Sequence, residues 1–175
     1  MSPTYRLFRS VMALLAGLGL LVWSAQVPLP FVGPETSLLS FAMVLIALLG
    51  GVRLATVTTA VYVGLVYVGR LPWQGLDPSA LQLPQEQQLG YLGGLVAGAF
   101  LTGLLYRRNS WLGLSFAAFV GHVALFGVGV AVLAQTMGPT FAMVGGAWPY
   151  VFGAVVKSVF AALLVAIFRP PFDDP

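Results

Sequence analysis

The 175-residue chain contains no cysteine, and only 7% of its residues are charged. The absence of cysteine excludes disulfides, thiolate metal sites and cysteine nucleophiles. The chain has one histidine, His122, so a site with two imidazole ligands is also excluded. No glycine-rich loop ends in lysine and serine or threonine, the motif that binds nucleotide phosphates. We therefore expect no metal or other cofactor, and any ATP-driven work would require a partner.

Most residues are apolar: 59% of the chain is hydrophobic, and the mean hydropathy is +0.94. Such values predict an all-α integral membrane protein with one domain over residues 1–175, since spans occupy most of the length. Six transmembrane helices are expected, at about 7–24, 37–50, 54–69, 89–106, 111–135 and 147–168. A tight turn at 51–53 would join the second and third spans, and an uncharged link at 137–146 would precede the sixth.

The basic residues are distributed unevenly between the two ends of these spans. One side carries six arginines, namely Arg6, Arg9, Arg53, Arg107, Arg108 and Arg169. The other side carries Arg70 together with Glu35, Asp77 and Glu86. Because basic residues favour the cytoplasmic side, this six-helix bundle is expected to have both termini in the cytoplasm. The net charge of +3 is thus a topology signal, and no nucleic-acid partner is expected.

Lys157 is the one charge in the middle of an expected span. Placing a cation near the bilayer midplane costs on the order of 3 kcal/mol, so it normally has a partner. No carboxylate in the sequence is placed to be the partner of Lys157. Either backbone carbonyls and water satisfy the ammonium, or it awaits an anionic group of a ligand. Tyr150 and Gly153 fall on the same helix face, which suggests an outward-open pocket, although each also fits an interfacial aromatic or a packing glycine.

Two further features leave alternatives open. His122 either lines a pocket or makes a hydrogen bond within the packing, because no second histidine or nearby acid supports a metal site. Small residues on the first span, Ala13 and Gly17 in particular, permit close helix contact either within the chain or with a separate membrane subunit.

Enzyme functions are not supported. The sequence around Ser115 lacks the second glycine of an intramembrane protease nucleophile motif. Ser115 and His122 are also about 10 Å apart along one helix, too far for proton transfer. A retinal-binding photoreceptor would require a seventh span and a carboxylate counter-ion. We therefore do not expect an enzyme.

Several motifs together carry a family resemblance. In the last span, residues 149–157 combine a proline, Tyr150, Gly153 and Lys157 at fixed spacing. Residues 121–134 add a glycine-rich apolar pattern around Phe126. Residues 25–30, 41–45, 51–54 and 90–92, with Tyr62, extend the match over most of the chain. In this order and spacing they resemble the BioY family, the biotin-specific substrate-binding subunits of energy-coupling-factor vitamin transporters.

The resemblance implies a binding subunit in the bacterial plasma membrane that captures biotin in an outward-facing pocket. Its implied partners are a transmembrane coupling subunit and a pair of ATP-binding subunits. Lys157 would bind the ligand carboxylate. The other implied pocket residues are Tyr150, Gly153, His122, Tyr91, Ser40 and Gln88. Ala13 and Gly17 would lie at the docking surface for the coupling subunit.

The departures from the family pattern concern the pocket. Ala154 stands where the family has aspartate, His122 where asparagine is usual, and Leu39 with Ser40 replaces a glutamine–threonine pair. The outer loop is glutamine-rich where the family's is glycine-rich. They leave two alternatives open: a substrate-binding subunit for another small carboxylate-bearing vitamin, and a membrane scaffold that transports nothing.

Overall fold

The computed structural model describes residues 3–29, 37–71, 85–106 and 110–168, with side chains in the third range described from Gln88 onward. The described chain is helical: α1 (Pro3–Ala25), α2 (Leu39–Tyr67), α3 (Gln85–Leu105), α4 (Trp111–Met137), α5 (Pro139–Gly146) and α6 (Trp148–Phe168). Within these ranges, five helical stretches are long and apolar enough to cross a membrane, with α5 and α6 counted as one. The class predicted from composition, an all-helical membrane protein, is therefore confirmed.

Helix α2 contains a break at Gly51, where φ is 74° and ψ is −179°. A Cβ atom built on Gly17 of α1 would lie 3.1 Å from a Thr58 methyl and 3.6 Å from Ile46. Those two residues would be about 18 Å apart along a straight helix. The chain therefore folds back at Gly51, which adopts a backbone conformation that side chains with a Cβ disfavour. The turn predicted at 51–53 is present, but the helix resumes at once with Val52.

Glycines allow α3 to approach α4 closely. A Cβ on Gly94 would overlap the backbone carbonyl of Leu125, and one on Gly98 would lie 2.6 Å from the carbonyl oxygen of Gly121. Because lipid is as apolar as the helix surfaces, helices in membranes associate largely through such close packing of small residues. The α3–α4 pair therefore forms the tightly packed middle of the bundle.

The interior and exterior differ in the expected way for a protein immersed in lipid. Large apolar side chains such as Phe152 and Phe168 are exposed on the outside. Buried polar side chains lie inside the bundle, among them Thr58, Thr59, Thr102, His122, Lys157 and Ser158. Polar groups inside a membrane bundle are costly unless they find partners, so these residues mark the region to search for a site.

The segment at 137–146 differs from the prediction of a simple link, because eight of its residues form α5. Gly138 has a φ of 82°, which reverses the chain, and Pro139 starts the helix at a position where its missing N–H costs nothing. Other predicted features lie outside the described residues or side chains: Glu35, Asp77, Glu86, Arg107, Arg108, Arg169 and most of the outer Pro- and Gln-rich segments.

Candidate functional site

Lys157 of α6 is buried, with 7% of its surface exposed, and its ammonium points toward the start of α2. Its Nζ donates a hydrogen bond of 2.7 Å to the Ser37 carbonyl and one of 3.2 Å to the Ser40 hydroxyl. Both acceptors are neutral, and none of the described side chains carries a carboxylate. The ammonium thus has hydrogen-bond partners but no described counter-ion.

The acceptors are held in place by the local structure before α2. The Leu38 N–H donates to the Val27 carbonyl at 3.1 Å, and Pro28 and Ser37 form an isolated antiparallel bridge. The Ser37 hydroxyl accepts from the Leu39 N–H at 3.2 Å, which forms a local turn just before the helix. Because Ser37 is fixed on both sides, its carbonyl stays oriented toward Lys157.

The face of α6 on which the sequence places the expected pocket residues is buried. Tyr150, Gly153 and Lys157 all lie inside the bundle. The Tyr150 ring stacks on Phe126 of α4, with ring centroids 5.8 Å apart and an interplanar angle of 15°. An offset stack of this kind adds about 1 kcal/mol to the burial of the rings. Tyr150 is therefore packed against a second helix rather than placed only at the membrane interface.

Tyr91 of α3 connects that helix to α5. Its hydroxyl donates a hydrogen bond of 2.9 Å to the Gly146 carbonyl, and the residue is 1% exposed. A Cβ on Gly129 would overlap the Tyr91 ring, so the glycine provides the space for the aromatic side chain. In this structure the Tyr91 hydroxyl is thus engaged in holding α5.

His122 of α4 lies beside α6 and is 1% exposed. Its Nδ1 is 3.0 Å from the Ala118 carbonyl oxygen and 3.1 Å from the Ser158 hydroxyl. The Ser158 hydroxyl donates its own proton to the Ala154 carbonyl at 2.7 Å. Since both neighbours of Nδ1 then act as acceptors, this geometry assigns a neutral imidazole the tautomer with its proton on Nδ1, which leaves Nε2 as an acceptor. Nε2 is a buried acceptor without a partner among the described residues.

Ala154 is buried and contributes to an apolar cavity of about 240 Å³ between α4, α5 and α6. Neither Lys157 nor His122 lines this cavity. The side chain of Ala154 offers no hydrogen bond at the position where the resemblance would place a carboxylate. The predicted site residues thus form separate groups in this structure: Lys157 with Ser40, Tyr150 with Phe126, Tyr91 with Gly146, and His122 with Ser158. Gln88 lies in the first turn of α3 and is half-buried.

The two residues predicted for partner docking have different surroundings. Gly17 is buried against α2, next to Thr58, so it takes part in packing within the chain. This is the alternative that the sequence left open for the small residues of α1. Ala13 is only half-buried and borders a groove between α1 and the Gly51 bend of α2. Only Ala13 remains a candidate for contact with a separate subunit.

Three contacts around these residues were not predicted from the sequence. The Ser37 carbonyl holds Lys157, Ser158 contacts His122, and Phe126 stacks on Tyr150. A backbone carbonyl leaves no trace in the residue type, so Ser37 could not have been found from the sequence. Ser158 directly follows Lys157, and its position on the same buried helix face was the available signal.

Comparison with known proteins agrees with this architecture. The model of the BioY family matches residues 2–174 of the chain. No curated protein matches. Among solved structures, the chain is similar to the S-component for biotin from an ECF-type ABC transporter, known from a crystal structure at 2.1 Å. The TM-score is 0.73 at 15% identity, over 98% of this chain and 96% of that one, so the likeness concerns the fold. The family match spans nearly the whole sequence, and the chain belongs to the BioY family.

Proposed function

We propose that this protein is the substrate-binding membrane subunit of a biotin uptake system. Family membership and the shared fold with a biotin S-component support a transport role in the membrane. The observation that carries the proposal within the chain is the buried Lys157 ammonium, which has only neutral oxygens as described partners. A carboxylate is the group that would complete this site, and biotin ends in one.

The proposed role of Lys157 follows from the strength of its possible partners. A hydrogen bond between ionised groups is roughly twice as strong as one between neutral groups. An incoming ligand carboxylate would therefore replace or join the Ser37 carbonyl and the Ser40 hydroxyl around Nζ. Ser40 would then remain as a hydrogen-bond donor beside the carboxylate.

The cyclic urea of biotin requires acceptors for its two N–H groups. Ala154 cannot supply one, because its side chain is a methyl group. In the tautomer with its proton on Nδ1, the Nε2 of His122 is a buried acceptor without a partner among the described residues, and we propose it as the acceptor for one ligand N–H. Leaving such a group unsatisfied costs about 1–3 kcal/mol, so a ligand N–H that reaches it would gain affinity. Tyr150, Gly153, Tyr91 and Gln88 stay as proposed pocket residues.

The proposed topology has six spans with both termini in the cytoplasm. The return of the chain at Gly51 supports two spans within α2. Arg9 of α1 and Arg53, just after the bend, line the same groove, so both lie at one end of the bundle. Basic residues favour the cytoplasmic side, and the start of α2 with Ser37 and Ser40 would then face outward.

The sequence contains no nucleotide-binding loop, so uptake against a gradient would need energy from other chains. We propose a transmembrane coupling subunit and a pair of ATP-binding subunits as those partners, in a bacterial plasma membrane. The chain itself would bind the vitamin and carry out no chemical step.

The test compares biotin with biotin amide, which lacks the anionic carboxylate, by calorimetry on the purified protein in detergent. Parent protein should bind biotin more tightly than the amide. Lys157→Met keeps the side-chain length but removes the charge, so it should weaken biotin binding by about 2 kcal/mol and leave amide binding nearly unchanged. Arg70→Met, an exposed cation near the end of α2, is the matched control and should leave both unchanged.

The outcomes separate the alternatives. If the folded parent binds neither biotin nor the amide but binds another carboxylate-bearing vitamin in a Lys157-dependent way, the second vitamin replaces biotin. That alternative is favoured by one observation, the methyl group of Ala154 at the position of the family's aspartate. No binding across a vitamin panel would leave the scaffold as the function. Equal losses for biotin and amide in Lys157→Met would refute the carboxylate contact.

A further inference from the structure

A groove of about 530 Å³ lies between the N-terminal half of α1 and the Gly51 bend of α2. Arg9, Ser10 and Arg53 supply its polar lining, and Leu14, Leu54 and Val57 are among its apolar residues. Both arginines are exposed. They come from separate parts of the chain and are brought to one groove only by the fold. The groove is well removed in the chain from Lys157 and the residues around it.

The lining combines two chemistries. The Arg9 and Arg53 guanidiniums are fixed cations, and none of the described residues that line the groove is acidic. A guanidinium binds phosphate oxygens through paired N–H donors, and the Ser10 hydroxyl is a further donor nearby. The remaining walls are aliphatic. A free inorganic anion would use the cations but leave the aliphatic walls without a partner.

The neighbouring surface of α1 faces lipid, because Phe8, Val11 and Leu15 are 64%, 46% and 53% exposed. A molecule in the groove would therefore also lie beside an apolar surface, which suits an acyl chain. Two positive charges without an acidic partner in the lining favour a net negative headgroup over a zwitterionic one. Basic pockets between membrane helices on the cytoplasmic side bind anionic lipid headgroups in this way.

We propose that this groove binds one anionic phospholipid, with its phosphate between Arg9 and Arg53 and an acyl chain along the Leu14, Leu54 and Val57 side. The site is independent of the vitamin pocket, and it would tie the start of α1 to the Gly51 bend. Lipid in the groove would therefore stabilise the reversal of α2. The lipid headgroup would lie at the end of the bundle that carries Arg9 and Arg53, which is the cytoplasmic end in the proposed topology.

The test is native mass spectrometry of the delipidated protein in detergent, titrated with phosphatidylglycerol or with phosphatidylcholine of the same acyl chains. One phosphatidylglycerol should bind with clear preference over phosphatidylcholine. Removal of each arginine, in Arg9→Gln and Arg53→Gln, should weaken binding about fivefold. Arg6→Gln changes an exposed arginine on the same helix that is not part of the groove lining, and it should have no effect.

A second arm distinguishes a lipid from a free phosphate. Glycerol phosphate should compete only at much higher concentration, since it lacks the acyl chain, and phosphatidylglycerol should raise the unfolding temperature of the parent but not of the double variant. Lipid-free double variant should unfold like lipid-free parent, which shows that the substitutions leave the fold intact. Glycerol phosphate binding as tightly as the lipid would overturn the lipid assignment in favour of a soluble anion.

Two other results would also overturn the proposal. Equal binding of phosphatidylcholine and phosphatidylglycerol would remove the role of the charges. Unchanged phosphatidylglycerol binding by the double variant, combined with lost assembly with co-expressed energising subunits, would assign the groove to a protein partner instead. Failure of biotin to bind would not affect either result, so the two proposals fail separately.

Discussion

At Lys157, a charge within the membrane is accommodated by two oxygens from a distant part of the chain. The acceptors lie 120 and 117 positions earlier in the sequence, at the start of α2. The hydrogen bonds to these oxygens lower the cost of burying the ammonium, and because the oxygens are neutral they do not cancel its charge. The result is an ammonium that is structurally satisfied and still complementary to an anion, so the two explanations offered by the sequence are compatible.

A different residue, Tyr91, makes a purely structural prediction. Its hydroxyl is the described partner of the Gly146 carbonyl at the end of α5. Tyr91→Phe leaves that buried carbonyl without this donor, so the free energy of unfolding should fall by about 1 kcal/mol. Thermal unfolding in detergent, followed by circular dichroism, measures the change. Tyr67→Phe removes the hydroxyl of an exposed tyrosine and should not alter stability; equal losses in both variants would contradict the assigned hydrogen bond.

At the scale of helices, the bundle depends on where glycine permits backbones to meet. Adjacent glycines on α3 have opposite surroundings: Gly94 contacts the Leu125 backbone, while the nearest atom to a Cβ on Gly93 would be a Val128 methyl at 3.9 Å. The first position fixes the α3–α4 distance, and the second tolerates a side chain. Glycine is thus required for helix packing at one of these two neighbouring positions and not at the other.

This contrast predicts a large difference between two minimal substitutions. Gly94→Ala must push α3 away from α4, and overpacking of this kind should lower the free energy of unfolding by about 2 kcal/mol. Gly93→Ala adds the same methyl group in open contact and should be neutral or slightly stabilising, because alanine favours helix over glycine. Unfolding of both variants in the same detergent provides the comparison. Similar stabilities would mean that the α3–α4 contact is looser than described.

At the scale of the whole molecule, the absence of native cysteine permits a direct test of topology. Thr4→Cys, Arg53→Cys and Leu71→Cys place single thiols at the start of α1, after the Gly51 bend and just beyond α2. With six spans and cytoplasmic termini, a membrane-impermeant maleimide added to intact spheroplasts should label only Leu71→Cys. The other two should react after permeabilisation. Labelling of Leu71→Cys only after permeabilisation would show that α2 crosses the membrane once, and labelling of Arg53→Cys from outside would contradict a cytoplasmic Gly51 bend.

The groove of Arg9 and Arg53 also belongs to this scale, because it joins the first helix to the middle of the chain. If an anionic lipid occupies it, the lipid composition of the membrane becomes a variable in the protein's stability. The proposed vitamin binding would depend on a different region, around Lys157. Ligand and lipid effects should therefore be separable by substitution in the purified protein.

Composition alone determined the membrane class, since no soluble domain tolerates this hydropathy. The family pattern was also readable, because it resides in residue types at fixed spacing such as Tyr150, Gly153 and Lys157. The reversal of the chain within α2 was predicted in part, because the expected turn at 51–53 begins at Gly51. Each of these features depends on local sequence or on simple sums over it.

Only the tertiary structure decided which groups meet. It brought the Ser37 carbonyl to Lys157, set Phe126 against Tyr150, turned Gly17 inward and formed α5 within an expected link. It also placed Nδ1 of His122 beside the Ala118 carbonyl, which can only accept a hydrogen bond and so favours the tautomer with its proton on Nδ1. Backbone groups have no residue-specific signature, and contacts between distant segments depend on how helices pack. The sequence therefore determined that the chain is a membrane protein, and the packing of its helices decided which atoms form the site.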